Sequence, residues 1–131
     1  MLSRRKFITM TAALPVALST LALDALASEK FTEAALQAAQ KDGKKVLVEV
    51  AAPWCPVCRA QQPILEGLAK NEKFKDFVFL RVDFDNQKEE LRKLNVRTQS
   101  TLIVFKGANE VGRSIGDTHA DSIEALLTKA I

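Results

Sequence analysis

Residues 46–58 read V-L-V-E-V-A-A-P-W-C-P-V-C, from Val46 to Cys58. Val46–Ala51 is a short, mostly apolar run rich in β-branched residues, the pattern of a strand buried on both faces, as in parallel sheets. Glu49 is the one charge inside it. Cys55 and Cys58, which follow, are the only two cysteines in the 131-residue chain. Pro56 between them suits the first position of a helix, where its missing N–H leaves no bond unmade. A strand running into a helix start places Cys55 at the carboxyl edge of a sheet, where open α/β sheets bind ligands. It also sets Cys55 among the unpaired N–H groups of a helix N-terminus, which favour a thiolate. Cys58, one turn further in, is more shielded and placed to attack a mixed disulfide formed at Cys55.

Three chemistries suit such a pair. As a structural staple it closes a tiny loop, and stabilisation by a disulfide grows with loop length. As a metal site it is incomplete, because tetrahedral zinc takes four ligands. The only histidine, His119, falls at the start of the last predicted helix, where a solvated cap-region role fits it. Soft thiolates suit Cu(I), zinc or iron–sulfur, but here the remaining ligands would come from a dimer or a small thiol, unless the metal were two-coordinate Cu(I). As a redox pair the two cysteines suffice.

Outward from this stretch, helical spacing of Phe31, Ala34, Ala35, Leu36 and Ala38 predicts a helix over about 29–41, with Thr32 as a cap and Asp42-Gly43 as a stop. A second helix is predicted over Arg59 to about Asn71, with Pro63 inside it. Phe77–Asp83 is a second strand. Asp85 is a candidate cap for a helix running to about Leu94. Thr101–Phe105 is a third strand, paired through a turn at Lys106–Asn109 with Glu110–Ile115. Asp121 opens a last amphipathic helix. The order α-β-α-β-α-β-β-α predicts an α/β fold: a mixed four-stranded sheet with helices on both faces.

The chain begins M-L-S-R-R-K-F-I-T, followed by an apolar run from Met10 to Leu23 and then Ala25-Leu26-Ala27. A charged start, an apolar stretch of about 14 residues and an A-x-A site form an export signal, and the run is shorter than the roughly 20 residues that span a bilayer. Ser3–Ile8 is similar to a twin-arginine signal. Residues 1–27 are therefore expected to be a cleaved signal and 28–131 a single domain, placing the protein in the periplasm or otherwise outside the cytoplasm. Of the 19 basic and 16 acidic residues, residues 1–27 hold three and one, so the remainder is nearly neutral. No basic face stands out, and nucleic acid is not an expected partner.

Taken in order and spacing, these features resemble the thioredoxin superfamily over the whole of 28–131. Val46–Cys58 resembles the family's strand leading into W-C-x-x-C. Pro63, five residues past Cys58, is similar to its helix-kinking proline. Leu80–Asp83 and Thr101–Phe105 are similar to the next two strands, and Gly116 to a glycine that follows the last one. Within the family the chain looks most like small periplasmic thioredoxins and exported modules fed by transmembrane thiol reductants.

The resemblance implies roles residue by residue. Cys55 is the attacking thiol and Cys58 the resolving one, cycling through a Cys55–Cys58 disulfide. Trp54 flanks the site. Glu49 falls where the family often carries a buried aspartate that exchanges protons with the second cysteine. Arg81 takes the place of a frequent lysine near that carboxylate, and it can pair with Glu49 instead. Trp54, Pro56 and Val57 together with Gln99, Ser100 and Thr101 form the surface expected to meet a partner.

The departure from the family is Ser100, which stands where thioredoxins have a cis-proline beside the incoming peptide. A cis bond before serine costs about 2.5–4 kcal/mol, so a trans Gln99–Ser100 bond in a remodelled loop is expected. Either the loop simply tolerates serine, or the hydroxyl bonds the Cys55 thiolate, or the missing ring opens the pair to a metal ion or cluster. The expected function is exported thiol–disulfide exchange with partner proteins, leaning towards reduction. It uses no cofactor beyond the disulfide itself, draws on a membrane thiol-electron donor and needs only a monomer. A copper or iron–sulfur module on the same cysteines is the alternative.

Overall fold

The computed structural model describes residues 28–131. The expected export signal, residues 1–27, lies outside the described residues. The elements are β1 (Glu29–Lys30), α1 (Glu33–Lys41), β2 (Lys45–Ala51), α2 (Pro56–Ala69), β3 (Phe77–Asp83), α3 (Lys88–Lys93), β4 (Thr101–Lys106), β5 (Asn109–Ile115) and α4 (Ala120–Thr128), with a single 3-10 turn at Glu72–Phe74. The α/β class is as expected, but the sheet has five strands, in the order β1-β3-β2-β4-β5.

The extra strand corrects the first predicted helix. Thr32 does cap it, accepting from the Ala35 N–H at 3.0 Å, so helical residues begin at Glu33. Glu29 and Lys30 lie upstream of that cap and pair in parallel with Leu80 and Arg81. The Phe31 N–H continues the ladder to the Arg81 carbonyl at 2.7 Å. Two extended residues thereby satisfy part of the edge of β3, which would otherwise present unpaired backbone.

β2 is the centre of the sheet, parallel to β3 and antiparallel to β4. Side chains alternate across it. Val46, Val48 and Val50 join Leu80, Val82, Ile103 and Phe31 on the side of α1 and α3. Leu47 joins Leu102, Val104, Leu65 and Ile123 on the side of α2 and α4. Both faces are fully buried, which is why the strand reads as a near-continuous apolar run. By the same alternation Glu49 projects with Leu47, beneath α2.

The third helix starts later than predicted. Asp83, at the end of β3, accepts from the backbone N–H groups of Asp85 and Asn86 and from the Asn86 side-chain amide. These bonds, that of the Asn86 side chain foremost, hold its carboxyl below the usual range. They bend residues 84–86 into a turn, so α3 begins at Lys88 after Gln87, and Asp85 is not its cap.

α4 is fastened at its start by Asp117. Its carboxylate accepts from the Ser122 hydroxyl at 2.5 Å and the His119 N–H at 2.9 Å. Burial pushes its carboxyl pKa up, but these bonds outweigh it and hold the group below its ordinary value. A folded-state pKa below the unfolded one stabilises the fold above the carboxylate range and is lost as pH falls through the folded value. Asp117→Asn is therefore expected to melt at a lower temperature than wild type at neutral pH. The gap should close below about pH 4, as followed by circular dichroism.

Candidate active site

The turn that delivers the cysteines is closed by the Cys55 N–H bonding the Ala52 carbonyl at 3.2 Å. Cys55 has extended backbone angles and is the N-cap of α2, with Pro56 in the first turn. Its sulfur accepts the Cys58 N–H at 3.1 Å, one of the N–H groups a helix start leaves unpaired. Cys55 and Cys58 form a disulfide, with Cα atoms 5.3 Å apart. Both are buried, at 1% and 3% exposure, in a small cluster with Ala52 and the partly buried Ala51, Val57 and Phe84. Contrary to expectation, Cys58 is not the more shielded of the two: the turn closed on Ala52 covers Cys55 equally.

Trp54, by contrast, is 53% exposed at the lip of the pair. Its indole N–H is shared between the two carboxylate oxygens of Asp85, at 3.0 and 3.2 Å, and its ring meets the Phe84 ring edge-on. The turn set by Asp83 thus frees Asp85 to fix the orientation of an exposed aromatic side chain beside the disulfide. Nothing local in the sequence pairs residues 54 and 85.

Glu49 is 3% exposed, and its carboxylate accepts from three side chains. Arg81 donates through Nε at 3.0 Å, Gln62 through its side-chain amide at 3.0 Å, and Ser28 through its hydroxyl. Arg81 also donates to the Gln62 side-chain oxygen, closing the network. The pairing of Glu49 with Arg81 follows from strand register, which sets the two directly opposite. The carboxylate makes no hydrogen bond to Cys58. Cys58 opens onto a recess of about 380 Å³ lined also by Pro53, Arg59, Gln62, Arg81 and Asp83, and two of that lining, Gln62 and Arg81, bond Glu49.

Ser100 is buried, and the Gln99–Ser100 bond is trans, as expected. Its backbone is left-handed, with φ of 59°, a region that residues other than glycine and asparagine rarely take. The Ser100 N–H donates to the Val50 carbonyl at 2.8 Å. The Cys58 sulfur lies 3.8 Å from that same carbonyl oxygen. The Ser100 hydroxyl donates to the Gln99 carbonyl at 2.6 Å, so in this oxidised state the suggested bond to Cys55 is not made. Thr101 is buried and bonds the Thr98 carbonyl, while Gln99 is half-buried and Pro56 exposed. Arg59 lines the recess, whereas Arg97 lies in a separate groove beside Phe84 and Leu91, and His119 is exposed. Among the described residues no three His, Cys, Asp or Glu side chains converge as a metal set would.

The family model described as thioredoxin matches residues 23–129. The chain belongs to the thioredoxin family. A thioredoxin of Aspergillus fumigatus, Asp f 29, is 32% identical over 101 residues, which cover 76% of this chain and 91% of that one. A thioredoxin of Chlamydia trachomatis is 36% identical over 84 residues, covering 64% and 80%. Among solved structures, Trxlp from Edwardsiella tarda is 40% identical with a TM-score of 0.75, over 77% of this chain and 98% of that one. The thioredoxin of Fasciola hepatica is 27% identical with a TM-score of 0.69, over 80% and 100%. Like its relatives, this thioredoxin is a thiol–disulfide oxidoreductase.

Two glutamines of the site, Gln61 and Gln62, escaped the sequence reading. Cys58, Gln61, Leu65 and Leu68 recur at helical spacing and are the buried residues of α2. That stripe was a signal that Gln61 faces inward. Gln62 lies one position round the helix, and only the location of Glu49 beneath α2 brings it into play.

Proposed function

We propose that this thioredoxin is an exported reductase of protein disulfides. The observation that carries the reading is a disulfide buried at a helix N-terminus beneath an exposed, oriented tryptophan. In the reduced state the Cys55 thiolate attacks one sulfur of a partner disulfide. A Cys55–partner bond forms and the other partner sulfur leaves as a thiolate. Cys58 then gives up its proton and attacks the Cys55 sulfur, expelling the second partner thiolate. The partner gains two electrons and the chain returns to the Cys55–Cys58 disulfide.

Glu49, bonded by Gln62 and Arg81 of the recess onto which Cys58 opens, accepts the Cys58 proton by way of that lining. Trp54, Pro56 and Val57 meet the partner on one side of the pair, and Gln99, Ser100 and Thr101 on the other. The paired basic residues and apolar run of the N-terminus support a site of action outside the cytoplasm. There a membrane thiol donor would return the two electrons, and the protein would work as a monomer with no added cofactor.

The test is insulin reduction with dithiothreitol as the electron source, using wild-type residues 28–131. Acceleration over dithiothreitol alone is expected; a rate equal to the reductant alone would overturn the reading.

A further inference from the structure

We infer that Gln61 is a positioning residue that holds the partner-binding loop of this enzyme, residues 99–101, against the cysteine-bearing helix. The inference rests on the proposed role of residues 99–101 in binding partners.

Gln61 is 2% exposed, an amide buried on the face of α2 that packs on the sheet. Burying an amide is costly unless its donors are used. Both are: the side-chain nitrogen donates to the Asp117 carbonyl at 2.9 Å and to the Ser100 carbonyl at 3.3 Å. Residues 100 and 117 flank the open end of the β4–β5 hairpin, one before β4 and one after β5. The Gly116 N–H also donates to the Ser100 carbonyl, at 3.0 Å. One side chain on the cysteine-bearing helix therefore ties together the loop before β4 and the turn after β5.

The remaining bonds show why such a tie is needed. A proline at position 100 would lock φ near −65°, yet Ser100 sits at 59°. It would also lack the N–H that Ser100 gives to the Val50 carbonyl. The loop thus takes a path closed to proline, and it gives up the rigidity that a ring supplies. The Gln61 amide replaces that rigidity from outside the loop. Its position three residues past Cys58 makes the distance between the disulfide and the loop a property of one helix.

The prediction concerns partner affinity more than sulfur chemistry. Gln61→Met keeps the volume and removes the donor. Its KM for insulin is expected to rise about five- to tenfold, in line with the loss of a buried hydrogen-bonding donor. The change in kcat should be smaller, and the Cys55–Cys58 reduction potential should stay at the wild-type value. Gln61→Glu sets a carboxylate against two carbonyl oxygens. Its KM relative to wild type should climb as pH rises through the carboxylate range and recover in acid, where the protonated group donates again. An unchanged KM in Gln61→Met, or a Gln61→Glu ratio that does not vary with pH, would overturn the inference. Wild-type turnover of insulin in the same assays keeps that failure separate from a failure of the proposed function.

Discussion

Cys55→Ala is expected to bring insulin reduction down to the rate of dithiothreitol alone, and Cys58→Ala to trap partners as stable mixed disulfides. The two outcomes differ because the two sulfurs differ in place. Cys55 caps the helix and accepts a backbone N–H, so it is the sulfur whose negative charge the helix start stabilises. Removing it leaves no first attack. Cys58 lies one turn further along α2, against the Val50 carbonyl. Without it the first attack proceeds, but nothing nearby can expel the partner. Turnover stops after one event, and the adduct accumulates. Non-reducing electrophoresis of each variant mixed with a protein disulfide reads both results. An adduct on Cys55→Ala, or sustained turnover by Cys58→Ala, would reverse the assignment of the two sulfurs.

The second large effect is on stability. Arg81→Leu is expected to destabilise the fold by about 2–4 kcal/mol, and the double variant Glu49→Leu/Arg81→Leu to recover most of that loss. Glu49 is 3% exposed, so without Arg81 its charge is buried with only neutral donors from Gln62 and Ser28. Breaking a buried pair usually costs about 3–5 kcal/mol; the lower range here reflects the Arg81 side chain, which remains about two-fifths exposed and screened by solvent. When both charges go, Leu47, Leu65 and their neighbours can accept an apolar side chain under α2. Urea denaturation of the two single variants and the double one measures the coupling directly. A double variant no more stable than Arg81→Leu would show that the pair contributes little beyond its shape.

Much of the fold was legible because its elements are set by local patterns. The β2 run, the proline at the start of α2 and the glycine turns each settle backbone conformation within a few residues. The miss at residues 29–30 was of a different kind. Two residues have no period to read, and their conformation depends on the edge of β3 that they cover. The delayed start of α3 had a local cause, the bonds of Asp83, but Asp85 two residues on was an equally good cap by sequence.

The sequence by itself determined where the reactive pair sits: two cysteines three apart, after a buried strand and at the first turn of a helix, are placed by local backbone preference alone. Tertiary structure decided what surrounds that pair. Glu49 meets Arg81 through strand register and Gln62 through helix packing. Trp54 is held by Asp85, and the Ser100 loop by Gln61. Each of these contacts joins residues distant in the chain or on separate elements. Their partners are chosen by how layers stack, which composition and periodicity do not encode residue by residue. The chemistry of the disulfide is therefore local in origin, whereas the shape of the surface it offers to a partner is a property of the packed whole.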